Sequence, residues 1–380
     1  MLSFTTVFPS AARPLFGLFV WERLRHAAAG ADVTVVAPVA WQYRTPCPDT
    51  IRDGVKVVHP TFFYVPGIFK CLDGFWLAAS AGRAVARAHR GAGFDLVDAH
   101  FGYPDGVAAA CLAAVFRRPF MVTLRGSELA TYDSLLRRAL MRWALRRAAA
   151  VVAVSQPLAE LAQALGTRPE RLTVVENGVD LERFHPADRV SLRVALDCSS
   201  SRRLLVSVGH LVPLKGFHRV VGALPALLEE FDVDYVVVGG PAPRSEQYAA
   251  DLHALVERLD LTARVRFVGA LPPADVGRWL QAADMLVLDS DREGCPNVVL
   301  EAMACGTPVA AASVGAVPDL LTRDSGVVYD RTAGPAALEQ ALRTALRRAW
   351  NPQTVRAAVT TRSWASVGAK VVSLWRKSVA

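Results

Sequence analysis

Short apolar runs rich in valine alternate along this chain with longer stretches of alanine and leucine that carry arginine on one side. The runs read as strands are DVTVVAP (32–38), DLVDAH (95–100), FMVTLRG (120–126) and AVVAVS (150–155). A further series follows: LTVVENG (172–178), RLLVSVGH (203–210), DYVVVGG (234–240), VRFVGAL (265–271), DMLVLDS (284–290) and PVAAASVG (308–315). Strands that are apolar almost throughout, rather than alternating, belong to parallel sheets covered by helices on both faces. Two such series predict two doubly wound α/β domains, residues 1–186 and 187–362, joined near NGVDLERFHPADRV (177–190). Residues 363–380 read as a C-terminal helix packing back onto the first domain.

Open parallel sheets bind ligands beyond the carboxyl ends of their strands. That rule selects Gly17, His100, Arg125, Asn177, His210, Gly239, Gly269 and the loop 289–297 for inspection. Neither the dinucleotide fingerprint G-x-G-x-x-G nor a P-loop occurs anywhere in the chain,.

Composition agrees with two cores. The chain has 380 residues, 52% of them hydrophobic, with mean hydropathy +0.25,. Its six cysteines, at 47, 71, 111, 198, 295 and 305, make no C-x-x-C pair, so reduced cytoplasmic thiols are expected,. No basic leader precedes the first strand, and no uncharged apolar run has the length of a spanning helix. Positive charge is unevenly placed. Residues 1–186 carry 21 Lys and Arg against 15 Asp and Glu, residues 187–362 carry 19 against 20, and the tail carries three bases and no acid. An anionic partner of the first domain is therefore expected. Only five of the 43 bases are lysine, and Lys215 stands far from the other four, at 56, 70, 370 and 377. A lysine kept against that bias marks a site that uses a compact ammonium.

Candidate chemistry concentrates in DREGCPNVVLEAMACGTPVAA (291–311), where Glu293 and Glu301 flank a run built to start a helix near Pro296. Such a helix start offers unpaired N–H groups and a positive dipole end to an anion. With VSVGHLVPLKGFHRVVGAL (206–224), VRFVGALPPADV (265–276), AVSQPLAELAQALG (153–166) and VVENGVDLERFHP (174–186), this segment resembles the retaining group 1 (family 4) glycosyltransferases. HFGYPDGVAAA and VTLRGSEL resemble the same family's acceptor domain. The likeness spans essentially the whole chain.

The resemblance implies a GT-B fold, two Rossmann-like domains facing a central cleft, with a nucleotide-diphosphate sugar, UDP- or GDP-linked, held by the second domain. It places Glu301 on the ribose hydroxyls and Glu293 on the donor sugar. It places Gly294, Cys295, Pro296, Asn297, Val298 and Val299 near sugar and phosphate, and Lys215 on the diphosphate. Physical chemistry agrees: carboxylates accept from sugar hydroxyls, while the helix end holds the phosphates between them. Gly17 and Gly269 join the donor set.

The chain departs from the family pattern at three places: His210, Arg125, and Gly17 in RPLFGLF, a single glycine where many members carry a pair. His210 stands where members carry an arginine, which leaves more of the diphosphate charge to Lys215. Arg125 stands where members carry histidine and is open to an anionic acceptor group, the diphosphate, or a plain surface role. His100 is a second acceptor-side candidate. Asp289 and Asp291 mimic a metal-binding acid pair, but no metal or cofactor is expected, since the family uses lysine and the helix dipole instead.

Arg138, Arg142 and Arg146 form one stripe of LLRRALMRWALRR (135–147), with Leu136, Leu140 and Trp143 on another; FFYVPGIFKCLDGFWLA (62–78) adds aromatics. Peripheral contact with an anionic membrane at its cytoplasmic face is therefore an expectation, beside the plain reading of a solvated amphipathic helix. The sequence thus predicts a cytoplasmic, retaining, metal-independent hexosyltransferase acting on a glycan or lipid-linked acceptor in cell-surface polysaccharide or glycolipid synthesis. A nucleotide-sugar 2-epimerase of the same fold is the alternative. A basic nucleic-acid-binding module is disfavoured, because no aromatic RNA-binding signature occurs.

Overall fold

The computed structural model describes residues 1–42, 49–65, 69–91, 93–243 and 245–379; Cys47 and residues 66–68 of the aromatic stretch lie outside them. The chain forms two compact units, residues 1–178 with 364–380, and residues 179–363.

The first unit contains β1 (Leu2–Phe4), β2 (Thr34–Val36), β3 (Val39–Ala40), β4 (Thr50–Arg52), β5 (Val55–Val58), β6 (Thr61–Phe62), β7 (Val97–His100), β8 (Phe120–Leu124), β9 (Ala150–Ala153) and β10 (Leu172–Val174). Eight of these make one sheet in the order β10-β9-β8-β7-β1-β2-β5-β4, parallel except for β4, while β3 pairs with β6. The second unit contains β11 (Arg203–Val208), β12 (Val233–Val238), β13 (Val265–Phe267), β14 (Met285–Leu288), β15 (Val309–Ala312) and β16 (Gly326–Tyr329). Its sheet runs β13-β12-β11-β14-β15-β16, all parallel, which is the doubly wound Rossmann order,. Strand order reverses between β1 and β7 in the first sheet and between β11 and β14 in the second. Those two switch points are where a ligand crevice opens.

The α/β expectation holds, and burial explains why. Every residue of β7, β8, β14 and β15 is buried, as a strand between two helical layers must be,. Helix Trp364–Val379 brings Val367, Val371 and Trp375 into one core with Trp21 and Leu24 of helix Leu18–Ala27. In the second unit Phe217, Leu224, Tyr235, Val237 and Leu342 share the core.

Residues 179–186, grouped by sequence with the first domain, pack with the second. Arg356 donates to the carbonyls of Leu181 at 3.1 Å and Phe184 at 2.9 Å, and Gln281 donates to that of His185 at 2.8 Å. The Asn-Gly pair at 177–178 marks the crossing more closely than the proline at 186. The β4–β5 hairpin was not anticipated, although Asp53-Gly54 supplies the two positive φ angles, 45° and 80°, that a tight turn between twisted strands needs,. Among the described residues no helix is long and apolar enough to cross a membrane.

Candidate functional site

At the switch point of the second sheet, loop 209–216 follows β11 and loop 289–296 follows β14. The Asp291 amide donates to the Leu214 carbonyl at 2.8 Å, which stitches the loops together. Lys215 ends a single 3-10 turn, Pro213–Lys215, and its ammonium meets Glu293 Oε1 at 2.6 Å. Ser290 Oγ donates to the same oxygen at 2.7 Å. The pair is half-shielded, with 23% of the lysine side chain and 13% of the glutamate exposed. Solvent can reach it, so a ligand can too.

Helix Asn297–Ala304 begins beside this pair, and its cap residue, Pro296, makes no side-chain cap bond. Pro296 is its cap residue, with ψ 108°, rather than its first helical residue as expected. Gly294, Cys295 and Pro296 are buried in the approach; Asn297, Val298 and Glu301 are partly exposed, and Val299 is buried. Burial and the Glu301 charge together raise the Cys305 thiol far above its ordinary range, so that cysteine is inert packing,. His210 is exposed just beyond β11, and Gly269 just beyond β13. Lys215, His210, Gly269, Glu293 to Val299 and Glu301 thus all lie at the carboxyl edge of one sheet.

The acids that mimic a metal pair are engaged otherwise. Asp289 accepts from Tyr329 Oη at 2.5 Å and from the Arg219 guanidinium. Asp291 faces Arg219 at 2.9 Å and Arg331 at 3.3 Å. Burial, then the Asp289 charge, pushes the Tyr329 phenol far up, so it stays a donor. These contacts build the loop that carries Glu293. Among the described residues no cluster of His, Cys, Asp or Glu could hold a metal ion.

Sequence reasoning missed Gly315. With φ 55°, it lets the loop after β15 approach so closely that a Cβ there would lie 2.4 Å from the Glu293 carbonyl,. The neighbouring Ala316 amide donates to the Gly294 carbonyl at 2.9 Å. The signal was the Ser-Val-Gly after a buried strand, read only as the end of that strand.

The first unit's switch point is built differently. Arg125, beyond β8, is only 8% exposed, so it is no surface arginine. Its guanidinium donates to His100 Nδ1 at 2.9 Å and to Asn177 Oδ1 at 3.3 Å. His100 is fully buried, and Ser3 Oγ takes its other nitrogen at 3.0 Å. Burial, then Arg125 and Arg23, depress its pKa, which fixes the ring neutral with Nδ1 accepting and Nε2–H donating,. Expected to face an acceptor, His100 instead orients Arg125 from within.

Two acids unforeseen from sequence complete this mouth. Glu128 accepts from the amides of Gly102 at 2.7 Å, Arg125 at 3.1 Å and Gly126 at 2.7 Å. Asp105 accepts from the Thr6 amide at 2.9 Å and hydroxyl at 2.8 Å, joining the loops after β1 and β7. Gly17 also lies here, with φ 74°, and a Cβ on it would come within 2.5 Å of the Val7 carbonyl; close packing already requires glycine there.

Residues 190–359 match the family of glycosyl transferases group 1, and residues 22–183 match Glycosyltransferase Family 4. A D-inositol 3-phosphate glycosyltransferase of Jonesia denitrificans is 32% identical over 340 residues, 79% of each chain. A protein of Bacillus subtilis described as a teichuronic acid biosynthesis glycosyltransferase, TuaC, is 28% identical over 93% of this chain and 91% of its own. Among solved structures, Anabaena Alr3699/HepE in complex with UDP and glucose superposes with a TM-score of 0.78 at 22% identity, covering 99% of both chains. At that identity the likeness carries the fold alone.

Proposed function

The chain belongs to the group 1 glycosyltransferases, and from that premise we propose that it moves a hexose, with retention at the anomeric carbon, from a nucleoside-diphosphate sugar to a glycan or lipid-linked acceptor. The observation that carries the donor reading is the Lys215–Glu293 pair beside the N-terminal end of helix Asn297–Ala304 at a Rossmann switch point. A diphosphate leaving group gains charge as the glycosidic bond breaks, and a fixed ammonium plus a helix N-terminus stabilise that charge more than the ground state. Glu293, held in turn by Ser290, fixes the ammonium, and Glu301, four residues past the helix start at Asn297, is placed to accept from ribose hydroxyls,. No metal is needed in this scheme, since Asp289 and Asp291 are occupied by Arg219, Tyr329 and Arg331.

The relatives support a role in cell-surface polysaccharide or glycolipid synthesis, because one is described in teichuronic acid biosynthesis; the Anabaena neighbour, which holds UDP and glucose, supports a nucleotide-sugar donor. Reaction at the cytoplasmic face of a membrane belongs to the same proposal. Arg125 is the acceptor-side group offered here, with His100 as its positioning residue.

The test is a thermal-shift panel of nucleoside diphosphates and their sugars. A true donor at a hundred times its Kd stabilises by about 2.7 kcal/mol. Glu301→Ala should weaken that donor about tenfold or more, the loss of one charged hydrogen-bond acceptor. Equal donor affinity in the variant would remove the ribose assignment, and silence across the whole panel would overturn the donor reading.

A further inference from the structure

Positive charge also gathers in the second unit, at the edge of its sheet opposite the donor pair. Arg203 opens β11 and Pro308 precedes the first residue of β15; with Arg189, Arg347, Arg348 and Trp350 they line a cavity of about 350 Å³. Open parallel sheets bind ligands at their carboxyl edge, where Lys215 and Glu293 lie, so topology alone asks for nothing at the amino edge. Among the described residues that line the cavity, four are arginines and one, Asp284, is an acid. Residues 187–362 as a whole carry 19 bases against 20 acids, so the excess is local.

Asp284, just before β14, is balanced without the arginines of the cavity. Arg193, whose side chain is only 7% exposed, gives it Nη2 at 2.5 Å. The other nitrogens of Arg193 go to the carbonyls of Ala282 at 3.0 Å and Arg202 at 3.1 Å. The Leu204 amide donates to the same carboxylate oxygen at 2.7 Å. Arg189 at 3.1 Å and Arg203 at 3.7 Å then bring two further guanidiniums to the second oxygen. Three cations on one carboxylate leave a surplus that a structural ion pair does not explain,. Loss of solvation, with Arg193 and Arg203 alongside, holds the Arg189 pKa below its ordinary value despite Asp284,. An anion in the cavity relieves that repulsion. Arg347 and Arg348 contribute less, because they pair with Glu230 at 2.8 Å and Asp324 at 2.7 Å, acids that do not line the cavity.

We propose that this cavity binds a phosphate group, as inorganic phosphate or a phosphate monoester, held by Arg189 and Arg203. Guanidinium forks match phosphate oxygens two at a time. The volume suits a small molecule. Trp350 gives its indole N–H to the Ala345 carbonyl at 2.9 Å, so it offers only its ring to the carbon part of an ester. β11 and β14 run from this cavity to the loops of Lys215 and Glu293, which puts the phosphate at the far end of the strands that carry the donor pair. The site does not rest on the donor reading.

The experiment is a thermal-shift titration of the full chain with sodium phosphate, with glycerol 3-phosphate, and with sodium chloride at matched ionic strength. Saturable stabilisation is expected from the phosphate probes and not from chloride. Tighter binding of glycerol 3-phosphate assigns the site to an ester, and tighter binding of phosphate assigns it to the free ion. Arg203→Gln should weaken the phosphate by about tenfold or more, the loss of one charge-assisted contact, and Arg189→Gln by a similar factor. Arg203→Lys, which keeps the charge without the fork, should recover part of that loss. Lys215→Ala, at the other edge, should bind phosphate like the parent. Should Arg189→Gln lose its fold, Arg203→Gln decides, since that side chain is 58% exposed. No saturable effect beyond chloride, or glutamine variants that bind like the parent, would overturn the proposal. So would phosphate binding that Lys215→Ala abolishes and Arg203→Gln spares, which would move the anion to the donor mouth. A nucleotide panel that fails while phosphate binding persists removes the donor reading and leaves this one.

Discussion

The two sheets reverse their strand order in the same way, yet the mouths at their switch points use charge oppositely. In the second unit the charged pair, Lys215 and Glu293, remains partly open to solvent beside the start of helix Asn297–Ala304. In the first unit His100, Asp105 and Glu128 are shut in, and their hydrogen-bonding capacity is spent on the loops themselves. One mouth keeps its charged pair within reach of solvent; the other uses its polar groups to fix backbone and to aim Arg125. A shared topology therefore predicts where a site lies, and the state of its charged groups predicts what the site does.

The largest expected effect tests the open mouth. Lys215→Ala should lower sugar transfer by about 10²–10³, as removal of one preorganised charge does in comparable sites, with the fold intact. Lys215→Arg should recover only part, because a planar fork is not a compact ammonium. Transfer rates and melting temperatures together decide it: a folded Lys215→Ala within about threefold of the parent ends the mechanism.

The closed mouth should fail in the other observable. Glu128→Ala strands three amides, at Gly102, Arg125 and Gly126, in a buried setting. Unmet buried donors cost about 1–3 kcal/mol each before water relieves some of them, so a loss of about 2–4 kcal/mol in denaturant unfolding is expected. A variant that unfolds like the parent but no longer transfers sugar would move Glu128 into the chemistry and blur the distinction.

These differences explain what was legible beforehand. Glu293, Pro296 and Glu301 lie within nine positions of one another, so a local pattern displays them, and Lys215 announces itself by its rarity. The first mouth has no local signature. It joins Ser3, Thr6, His100, Asp105, Arg125, Glu128 and Asn177, which only the strand order β7-β1 and β8-β7 brings together. Arg23 shows the limit most plainly. It lies on helix Leu18–Ala27 among apolar neighbours, fully buried, and burial holds its pKa down to about 10 against the opposing pull of Asp98. No periodicity marks an arginine as internal. The alternation of apolar runs did display the sheets, because strands buried on both faces have no other composition open to them. Short edge strands such as β4 and β16 escaped because half-exposed residues break the run.

A further effect concerns pH. Burial pushes the Asp105 carboxyl up to about 8, against the two donors of Thr6 that favour its anion. An unfolded aspartate titrates at about 3.9. Between those values the folded chain holds a proton that the unfolded chain has released, so the group's contribution to stability falls as pH rises from about 4 to 8. Asp105→Asn should remove that slope, and the midpoint difference between acid and neutral unfolding should shrink. An unchanged or steeper difference would mean that Thr6 keeps the carboxylate ionised, leaving the first mouth with a live negative charge.

The smallest expected effect is at His210, and it asks whether the open mouth is short of permanent charge. The side chain is exposed just beyond β11, and the Val212 amide is bonded to its carbonyl at 2.8 Å, so the backbone path does not depend on the side chain. Replacing imidazole by guanidinium adds a charge that does not vary with pH and a fork suited to phosphate oxygens. His210→Arg alone should therefore change transfer by no more than about threefold, less than half of a tenfold step in barrier terms. Its informative use is in combination. If Lys215 acts as a point charge on a leaving diphosphate, a second cation at the same strand edge should restore part of the transfer lost in Lys215→Ala. If instead Lys215 serves only to hold Glu293 through their 2.6 Å contact, a cation at position 210 has nothing to replace, and no rescue should occur.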